Sequence, residues 1–172
     1  MMAMIIRTEY ESIKNSFQDP KVLLEKLNSI FVERYRNTKK FFSCVVLDID
    51  LNEKQFYFSS AGHPVQIAVL NQELIKLPRQ GYLMGLSKDA KYKTVTGHFK
   101  PGDRFFLFTD GIFEERNEKL EQFGEEEVHR ILLNSRYETL SDSQEELLQK
   151  VKSFSKKESM EDDVTILGIE IQ

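Results

Sequence analysis

Two stretches of the sequence place acidic residues at the ends of apolar strands. An apolar run at residues 105–108 leads through one threonine to Asp110 and Gly111, while Asp162 and Asp163 open a second, β-branched run. If the two strands are antiparallel neighbours, the end of one lies beside the start of the other, so the carboxylates converge on one rim of a sheet. Clustered carboxylates typically hold a hard divalent cation such as Mg²⁺ or Mn²⁺. The alternative is an ordinary turn at Asp110 and a solvated strand start at Asp162.

Short motifs of turn and acidic residues follow one another along the chain. They are Ser60-Ala61-Gly62-His63-Pro64, Gly81-Tyr82-Leu83-Met84-Gly85-Leu86, Lys100-Pro101-Gly102-Asp103, Thr109-Asp110-Gly111, Phe123-Gly124 and Asp162-Asp163-Val164-Thr165. Their order and spacing resemble the C-terminal two-thirds of a SpoIIE-type phosphatase domain. This is the bacterial branch of the metal-dependent (PPM) serine/threonine protein phosphatases, and the resemblance covers nearly the whole chain.

The resemblance also implies two segments that this sequence does not contain. The family's domain begins with a Gly-Asp-rich strand and a second strand that ends in an Asp-x-x-Gly-His-Gly loop, and both supply further metal ligands. This chain opens at Met1 in a stretch that resembles the helix after that loop. We therefore expect either a fragment or the product of a late translational start.

The resemblance assigns roles to individual residues. Asp110 matches the metal-coordinating aspartate of the family's Thr-Asp-Gly motif, and Asp162 matches the aspartate of its later acidic motif. Asp163 is expected to lie beside the ligands without binding metal, and Gly111 to serve the backbone where a side chain would crowd the site. In the complete domain two Mg²⁺ or Mn²⁺ ions would activate a water for in-line attack on phosphorus, so no protein nucleophile is expected.

The remaining residues of chemical interest are interpreted as structural or solvated. They are His63 and Asp103 in turns, His98 and His129 on the surface, and the glutamate runs 114–115 and 125–127 on solvated faces. A hydrogen-bonded histidine in a turn is more frequent than a catalytic one, so His63 is not proposed as a general acid.

Composition limits the classes of function. The 172 residues predict one domain, residues 1–172, with a proper core. A net charge of −4 with 24 basic residues gives no nucleic-acid footprint. The single cysteine, Cys44, excludes a disulfide within the chain and suits a cytoplasmic protein. The apolar start, residues 1–6, is too short for a signal peptide, and neither a membrane span nor a membrane contact is predicted.

Periodicity and turn signals predict two helices before any strand, the second beginning at Asp19 and Pro20. The predicted strands are 41–50, 55–61, 65–70, 74–77, 92–99, 104–108 and 164–171, with helices at 125–133 and 141–154. The early strands are expected to form a meander, and 92–99 a hairpin with 104–108. Ser141 and Gln144 are a candidate capping box. This pattern indicates an α+β fold, which the resemblance sharpens to an α-β-β-α sandwich of two antiparallel sheets flanked by helices, N-terminally truncated by two strands.

Three functional hypotheses follow. The first is the catalytic module of a phosphatase that hydrolyses phosphoserine or phosphothreonine on a regulatory protein, such as the anti-sigma-factor antagonist of a partner-switching pathway. The second is a non-catalytic interaction domain of the same fold that lacks the N-terminal metal ligands. The third is an unrelated Mg²⁺-dependent phosphohydrolase. The first two helices, up to about residue 36, match the family's regulatory element and are expected to form a docking or dimer face. Because two strands are missing, we also expect a homodimer or larger assembly.

Overall fold

The computed structural model describes residues 2–38, 40–157 and 159–172. The helices are α1 (Met2–Ile13), α2 (Pro20–Tyr35), α3 (Gly111–Glu114), α4 (Glu125–Asn134) and α5 (Leu140–Ser155). The strands are β1 (Cys44–Asp50), β2 (Gln55–Ala61), β3 (Gln66–Leu70), β4 (Glu73–Leu77), β5 (Val95–His98), β6 (Arg104–Phe108) and β7 (Ile166–Glu170). Among the described residues, no helix has the length and apolar character that crossing a membrane requires.

The strands form two antiparallel sheets. The first sheet has the order β1-β2-β5 and the second the order β4-β3-β6-β7. The chain accordingly forms two compact units: one extends to His63 and includes Pro78–His98, and the other comprises Pro64–Leu77 and the chain from Phe99 onward. The predicted α+β class, with two antiparallel sheets and flanking helices, is confirmed.

The predicted meander and the predicted hairpin across residues 100–103 are both wrong. β2 and β3 belong to different sheets, and so do β5 and β6. The turn itself has the predicted type II form, since Gly102 has φ +89° and the Asp103 N–H donates to the Lys100 carbonyl at 3.0 Å. A turn of this kind fixes the local direction of the chain, but it does not decide which sheet the next strand joins.

The core of the first unit lies where α2 covers the first sheet. Asp19 caps α2 by accepting a hydrogen bond from the Lys21 N–H at 3.1 Å, which confirms the predicted helix start. The buried side chains of this core include Leu24, Leu27, Phe31, Ala61 and Met84. Cys44 packs against the same cluster, and burial raises the pKa of its thiol to about 11, so the thiolate is scarce near neutral pH.

The core of the second unit lies between the second sheet and the helices α4 and α5. Its fully buried members include Ile67, Phe106, Val128, Leu147 and Val151. α5 begins one residue earlier than predicted, and its cap is different. Thr139 accepts from the Asp142 N–H at 3.1 Å, so the predicted capping box at Ser141 and Gln144 is wrong. The sequence offers two candidate N-caps, Thr139 and Ser141, which lie two residues apart. The cap at Thr139 forms, so Leu140 lies inside the helix.

The prediction that His129 lies on the surface is wrong, whereas His98 is exposed as predicted. His129 is 6% exposed in α4, and neither ring nitrogen has a hydrogen-bond partner among the described residues. Burial lowers the pKa of His129, and so does the charge of Lys76, while Glu126 and Glu125 act in the opposite direction. The imidazole is therefore harder to protonate in the folded chain than in the unfolded chain.

The first testable prediction concerns the pH dependence of stability. Below about pH 6.5, the unfolded chain binds a proton on His129 that the folded chain does not, so the free energy of unfolding should fall as pH falls toward the lowered folded pKa. Urea denaturation at about pH 7.5, 6.5 and 5.5 should show this loss. His129→Leu should remove that part of the pH dependence, and His98→Leu should not. Identical pH profiles for the chain and its His129→Leu variant would contradict the prediction.

Candidate metal centre

The predicted convergence of the two acidic stretches depends on one strand pair, β6 and β7. These strands are antiparallel, with Phe108 opposite Ile166 at the rim. The pairing continues one step beyond the strands, because the Thr109 N–H donates to the Thr165 carbonyl at 3.2 Å. The residues that follow Thr109 and those that precede Thr165 therefore leave the sheet at the same rim, as the sequence predicts for Asp110 and Asp162.

The threonine before Asp110 connects the two loops. Its hydroxyl donates to the Asp163 carbonyl at 3.0 Å and accepts from the Thr165 N–H at 2.8 Å. Gly111 adds a close backbone contact, since a Cβ built on it would lie 2.8 Å from the Asp163 carbonyl oxygen. A glycine is therefore required here by the approach of a second loop. Thr109 and Gly111 together fix the loop of Asp110 against that of Asp162 and Asp163.

The two aspartates offer carboxylate oxygens to solvent. Asp110 is exposed, and its carboxylate makes no hydrogen bond with the described residues, while its carbonyl accepts from Phe113 at 2.9 Å and starts α3. Asp162 is also exposed, and its Oδ1 accepts from the Asp163 N–H at 2.7 Å. That bond orients the Asp162 side chain and leaves Oδ2 without a partner among the described residues. The side chain of Asp163 is exposed as well.

Asp162 lies between two hollows on the surface of this unit. The smaller, of about 190 Å³, is lined by Gly111, Glu114, Glu115, Arg116, Glu161 and Asp162. The larger, of about 520 Å³, is lined by Leu148, Lys152, Met160, Glu161, Asp162, Asp163 and Val164. Because Gly111 follows Asp110 directly, the loop of Asp110 and the loop of Asp162 both contribute to the wall of the smaller hollow. The larger hollow is lined by Lys152 together with the two aspartates.

A glutamine that the sequence analysis did not single out holds the end of β6. Gln66 is fully buried at the start of β3, and its Oε1 accepts from the Phe108 N–H at 2.5 Å. Its Nε2 donates to the Phe108 carbonyl at 3.3 Å and to the Pro64 carbonyl at 2.9 Å. Gln66 thus satisfies the backbone two residues before Asp110. A polar amide inside an apolar strand was the signal in the sequence.

The prediction that the glutamate pair 114–115 is solvated is wrong for one member. Glu114 is exposed, but Glu115 is 1% exposed. Its Oε2 accepts from the Glu161 N–H at 2.9 Å, so the segment after α3 contacts the residue before Asp162. No sequence signal separates these neighbouring glutamates. The run 125–127 is exposed or half-buried in the first turn of α4, as predicted.

Two other residues have the structural surroundings that the sequence predicts. The His63 Nδ1 lies 2.7 Å from the Ser43 hydroxyl. Asp103 is 5% exposed, and its carboxylate accepts from the Asn71 N–H at 2.7 Å and from the Lys100 N–H at 2.8 Å. Both side chains stabilise turns, which is the role predicted for them.

The donor set fits a hard cation in kind but is small. Carboxylate oxygens at the rim are the ligands that Mg²⁺ and Mn²⁺ prefer. Over residues 2–38, 40–157 and 159–172, no group of three or more His, Cys, Asp or Glu side chains is arranged to hold a metal ion. Asp110 and Asp162 alone offer fewer protein ligands than a complete Mg²⁺ or Mn²⁺ centre requires.

Two antiparallel sheets with flanking helices are the fold of the PP2C-type phosphatase domains, which the chain matches along almost all of its length. The chain belongs to the SpoIIE family, because the family model described as Stage II sporulation protein E (SpoIIE) matches residues 1–172. Both findings agree with the resemblance carried by the short motifs.

Individual relatives support the same assignment. The chain is 28% identical to the phosphoserine phosphatase RsbU of Bacillus subtilis (strain 168) over 116 residues, which are 66% of this chain and 34% of RsbU. The SiaA-PP2C domain of Pseudomonas aeruginosa is similar with a TM-score of 0.87 and 20% identity, over 99% of this chain and 69% of that chain. RsbX, solved in complex with magnesium, is similar with a TM-score of 0.65 and 25% identity, over 96% and 70% respectively. The chain thus spans about a third of the curated relative RsbU.

The second prediction concerns Gln66. Gln66→Leu should lower the free energy of unfolding by about 1–3 kcal/mol, because the buried Phe108 N–H and carbonyl lose their partner. Urea denaturation measures this change, and Gln149→Leu, at an exposed position in α5, is the matched control. Equal stabilities for the two variants would show that Gln66 does not hold the end of β6.

Proposed function

We propose that this chain is part of the catalytic module of a metal-dependent serine/threonine protein phosphatase. Its substrate would be a phosphoserine or phosphothreonine on a regulatory protein of the partner-switching type, in the cytoplasm. The observation that carries the proposal is the connection between the loops of Asp110 and Asp162 through Thr109 and Gly111. Two exposed carboxylates fixed at one rim of a sheet are a site for a divalent cation.

Each residue of the centre has a defined task in this proposal. Asp110 and Asp162 would hold Mg²⁺ or Mn²⁺ through carboxylate oxygens, and the Asp163 N–H keeps the Asp162 carboxylate oriented. A metal bound there would neutralise charge on the phosphoryl oxygens and make a coordinated water more acidic. No side chain of the centre needs to act as a nucleophile. Asp163 and Gly111 support the ligands without contacting the substrate.

The surroundings of Asp162 suit a phosphorylated protein. Lys152 lines the larger hollow together with Asp162 and Asp163. Its ammonium group has no hydrogen bond or ion pair with the described residues, so it is available to a phosphate or an acidic side chain of a substrate. The hollow is open to solvent, and an open surface admits a phosphoresidue carried on a folded partner.

The third prediction concerns metal binding by this 172-residue chain. With two family ligands present, it should bind Mn²⁺ weakly and hydrolyse a phosphopeptide poorly, because missing ligands reduce both the affinity and the orientation of the water. Titration of free Mn²⁺ by electron paramagnetic resonance should detect the binding. Asp110→Asn and Asp162→Asn should each remove it, and Asp89→Asn, at an exposed acid of the first unit, should not.

Two outcomes would contradict this prediction in different ways. Vigorous Mn²⁺-dependent turnover, lost in Asp110→Asn, would mean that the ligand set is more complete than proposed. Absence of Mn²⁺ binding, with the fold intact by circular dichroism, would favour the alternative function of a non-catalytic interaction domain. The lack of a third ligand among the described residues is the observation that keeps this alternative open.

The first two helices are proposed to form a docking face for a partner. α1 contains a single buried residue, Glu9, while Met4 is 75% exposed. The Glu9 carboxylate accepts hydrogen bonds from the Arg34 guanidinium at 3.0 Å and from the Tyr35 hydroxyl at 2.6 Å. These polar contacts connect α1 to α2. Other apolar side chains of α1, among them Ile5 and Ile6, pack against the core of the first unit. The outward face of α1, which bears Met4, is therefore the part available to a partner.

A homodimer is proposed to form through the free edge of the first sheet. β1 is the outer strand, and none of its seven residues is buried. Antiparallel pairing of β1 with a second copy centred on Leu47 would place Val45 opposite Ile49 of that copy. Such pairing would give hydrogen-bond partners to the backbone groups at the outer edge of β1.

The fourth prediction tests this assembly. Light scattering at micromolar concentration should give about twice the chain mass of 20.2 kDa. Leu47→Lys should yield a monomer, because a charge in the middle of an edge strand disfavours pairing. Leu120→Lys, at a position 73% exposed in a turn, should leave the assembly unchanged. A clean 20.2 kDa species for the unsubstituted chain would exclude the dimer.

A further inference from the structure

A buried carboxylate next to the candidate metal centre has no task in the proposed reaction. Glu115 lies directly after α3 and is 1% exposed, with its side chain wholly out of contact with solvent. An ionised carboxylate removed from water is strongly unfavourable unless hydrogen bonds or opposite charges compensate for the lost solvation. Glu115 therefore requires specific partners, and their positions indicate what the carboxylate does.

The partners of Glu115 belong to the segment that leads into Asp162. Oε2 of Glu115 accepts from the Glu161 N–H at 2.9 Å. Oε1 lies 3.6 Å from Nζ of Lys157, and the same ammonium contacts Oε1 of Glu161 at 2.5 Å. One carboxylate thus contacts both the backbone of residue 161 and the cation four residues before it.

The backbone of Glu115 is itself fixed. Its carbonyl accepts from the Phe123 N–H at 2.8 Å, and the Gly124 N–H donates to the Phe113 carbonyl at 2.9 Å. The segment that carries Glu115 is therefore held to the loop before α4 on both sides of the glutamate. A fixed backbone gives the buried carboxylate a defined position from which to hold residue 161.

Asp162 is consequently held from both sides by the segment 109–115. On one side Thr109 bonds to Asp163 and Thr165, and on the other side Glu115 bonds to Glu161. Asp110 lies in the same segment. The distance between the loop of Asp110 and the loop of Asp162 therefore depends on two sets of hydrogen bonds. Thr109 makes one set, and Glu115 makes the other.

We propose that Glu115 is a positioning residue of the metal centre, which places the carboxylate of Asp162 relative to that of Asp110. This inference rests on the proposed metal-binding role of those two aspartates. Glu115 acts through the Glu161 backbone and does not contact metal or substrate. Its neighbour Glu114 is exposed and has no such partner among the residues that the structure describes, so the role belongs to one member of the pair.

The test uses the complete 172-residue chain and Mn²⁺ as the probe. Glu115→Ala should weaken Mn²⁺ binding by about tenfold or more, as loss of a residue that orients a ligand typically does. Glu115→Gln keeps an oxygen that accepts the Glu161 N–H and should recover most of the affinity. Glu138→Gln, at an exposed glutamate that lines neither hollow, should bind like the unsubstituted chain. Amide hydrogen exchange at Glu161 should accelerate in Glu115→Ala and stay slow in Glu115→Gln.

A second variant separates positioning from loss of stability. Leu132→Ala creates a cavity in the core of the second unit, where Leu132 is 1% exposed, and removes none of the hydrogen bonds of the acidic loops. Under conditions in which both variants are folded, it should leave Mn²⁺ affinity unchanged. Equal loss of affinity in Leu132→Ala and Glu115→Ala would overturn the positioning role, and so would unchanged affinity in Glu115→Ala.

The proposed function and this inference can fail separately. If Asp162→Asn abolishes Mn²⁺ binding while Glu115→Ala leaves it intact, the metal site stands and the positioning role is wrong. If the unsubstituted chain binds no Mn²⁺, both are overturned.

Discussion

The register between β6 and β7 is the constraint on which the candidate site depends. Phe108 lies opposite Ile166, and Thr109 extends the pairing to Thr165 before the chain turns into Asp110. Because successive side chains of a strand point to opposite faces, a shift of one residue would reverse the faces of β7. It would also separate the Thr109 hydroxyl from the Asp163 carbonyl. The apolar faces of β6 and β7 set this register. They therefore determine the positions of Asp110 and Asp162 as well as the packing of the core.

Side chains beyond the ladder make this rim rigid. Gln66 satisfies the backbone at the end of β6, and Glu115 holds the backbone before Asp162. Both are polar groups buried beside the sheet, where an unsatisfied partner is costly. They support the backbone of the two loops, while the carboxylates of Asp110 and Asp162 stay open to solvent. Burial of the supporting groups and exposure of the two carboxylates together suit the site that we propose for an ion and a large substrate.

The sequence predicts the elements well wherever the relevant information is local. Two strands, Gln55–Ala61 and Arg104–Phe108, have the predicted bounds, and α2 begins at the predicted cap. The adjacency of the loops that carry Asp110 and Asp162 was also predictable, because it requires only that two apolar strands be antiparallel neighbours. The predicted hairpin between β5 and β6 was wrong because turn chemistry sets direction and not the sheet that a strand joins.

Burial of single polar residues was not predictable from the sequence. Glu115 and Glu114 are identical neighbours, and only the contact with Glu161 decides which of them is buried. His129 lies in an amphipathic helix, and the packing of α4 on β4 determines its exposure. Such features depend on contacts between segments distant along the chain. They carry no local pattern, so only the structure identifies the residues that support the loops of Asp110 and Asp162.

The central claim is that Asp110 and Asp162 bind the same divalent ion, and anomalous diffraction from Mn²⁺-soaked crystals tests it most directly. The account predicts one anomalous peak at the rim of the second sheet, within about 2.0–2.6 Å of a carboxylate oxygen of each residue. A peak bound by only one of them, or Mn²⁺ found only elsewhere on the protein, would contradict it.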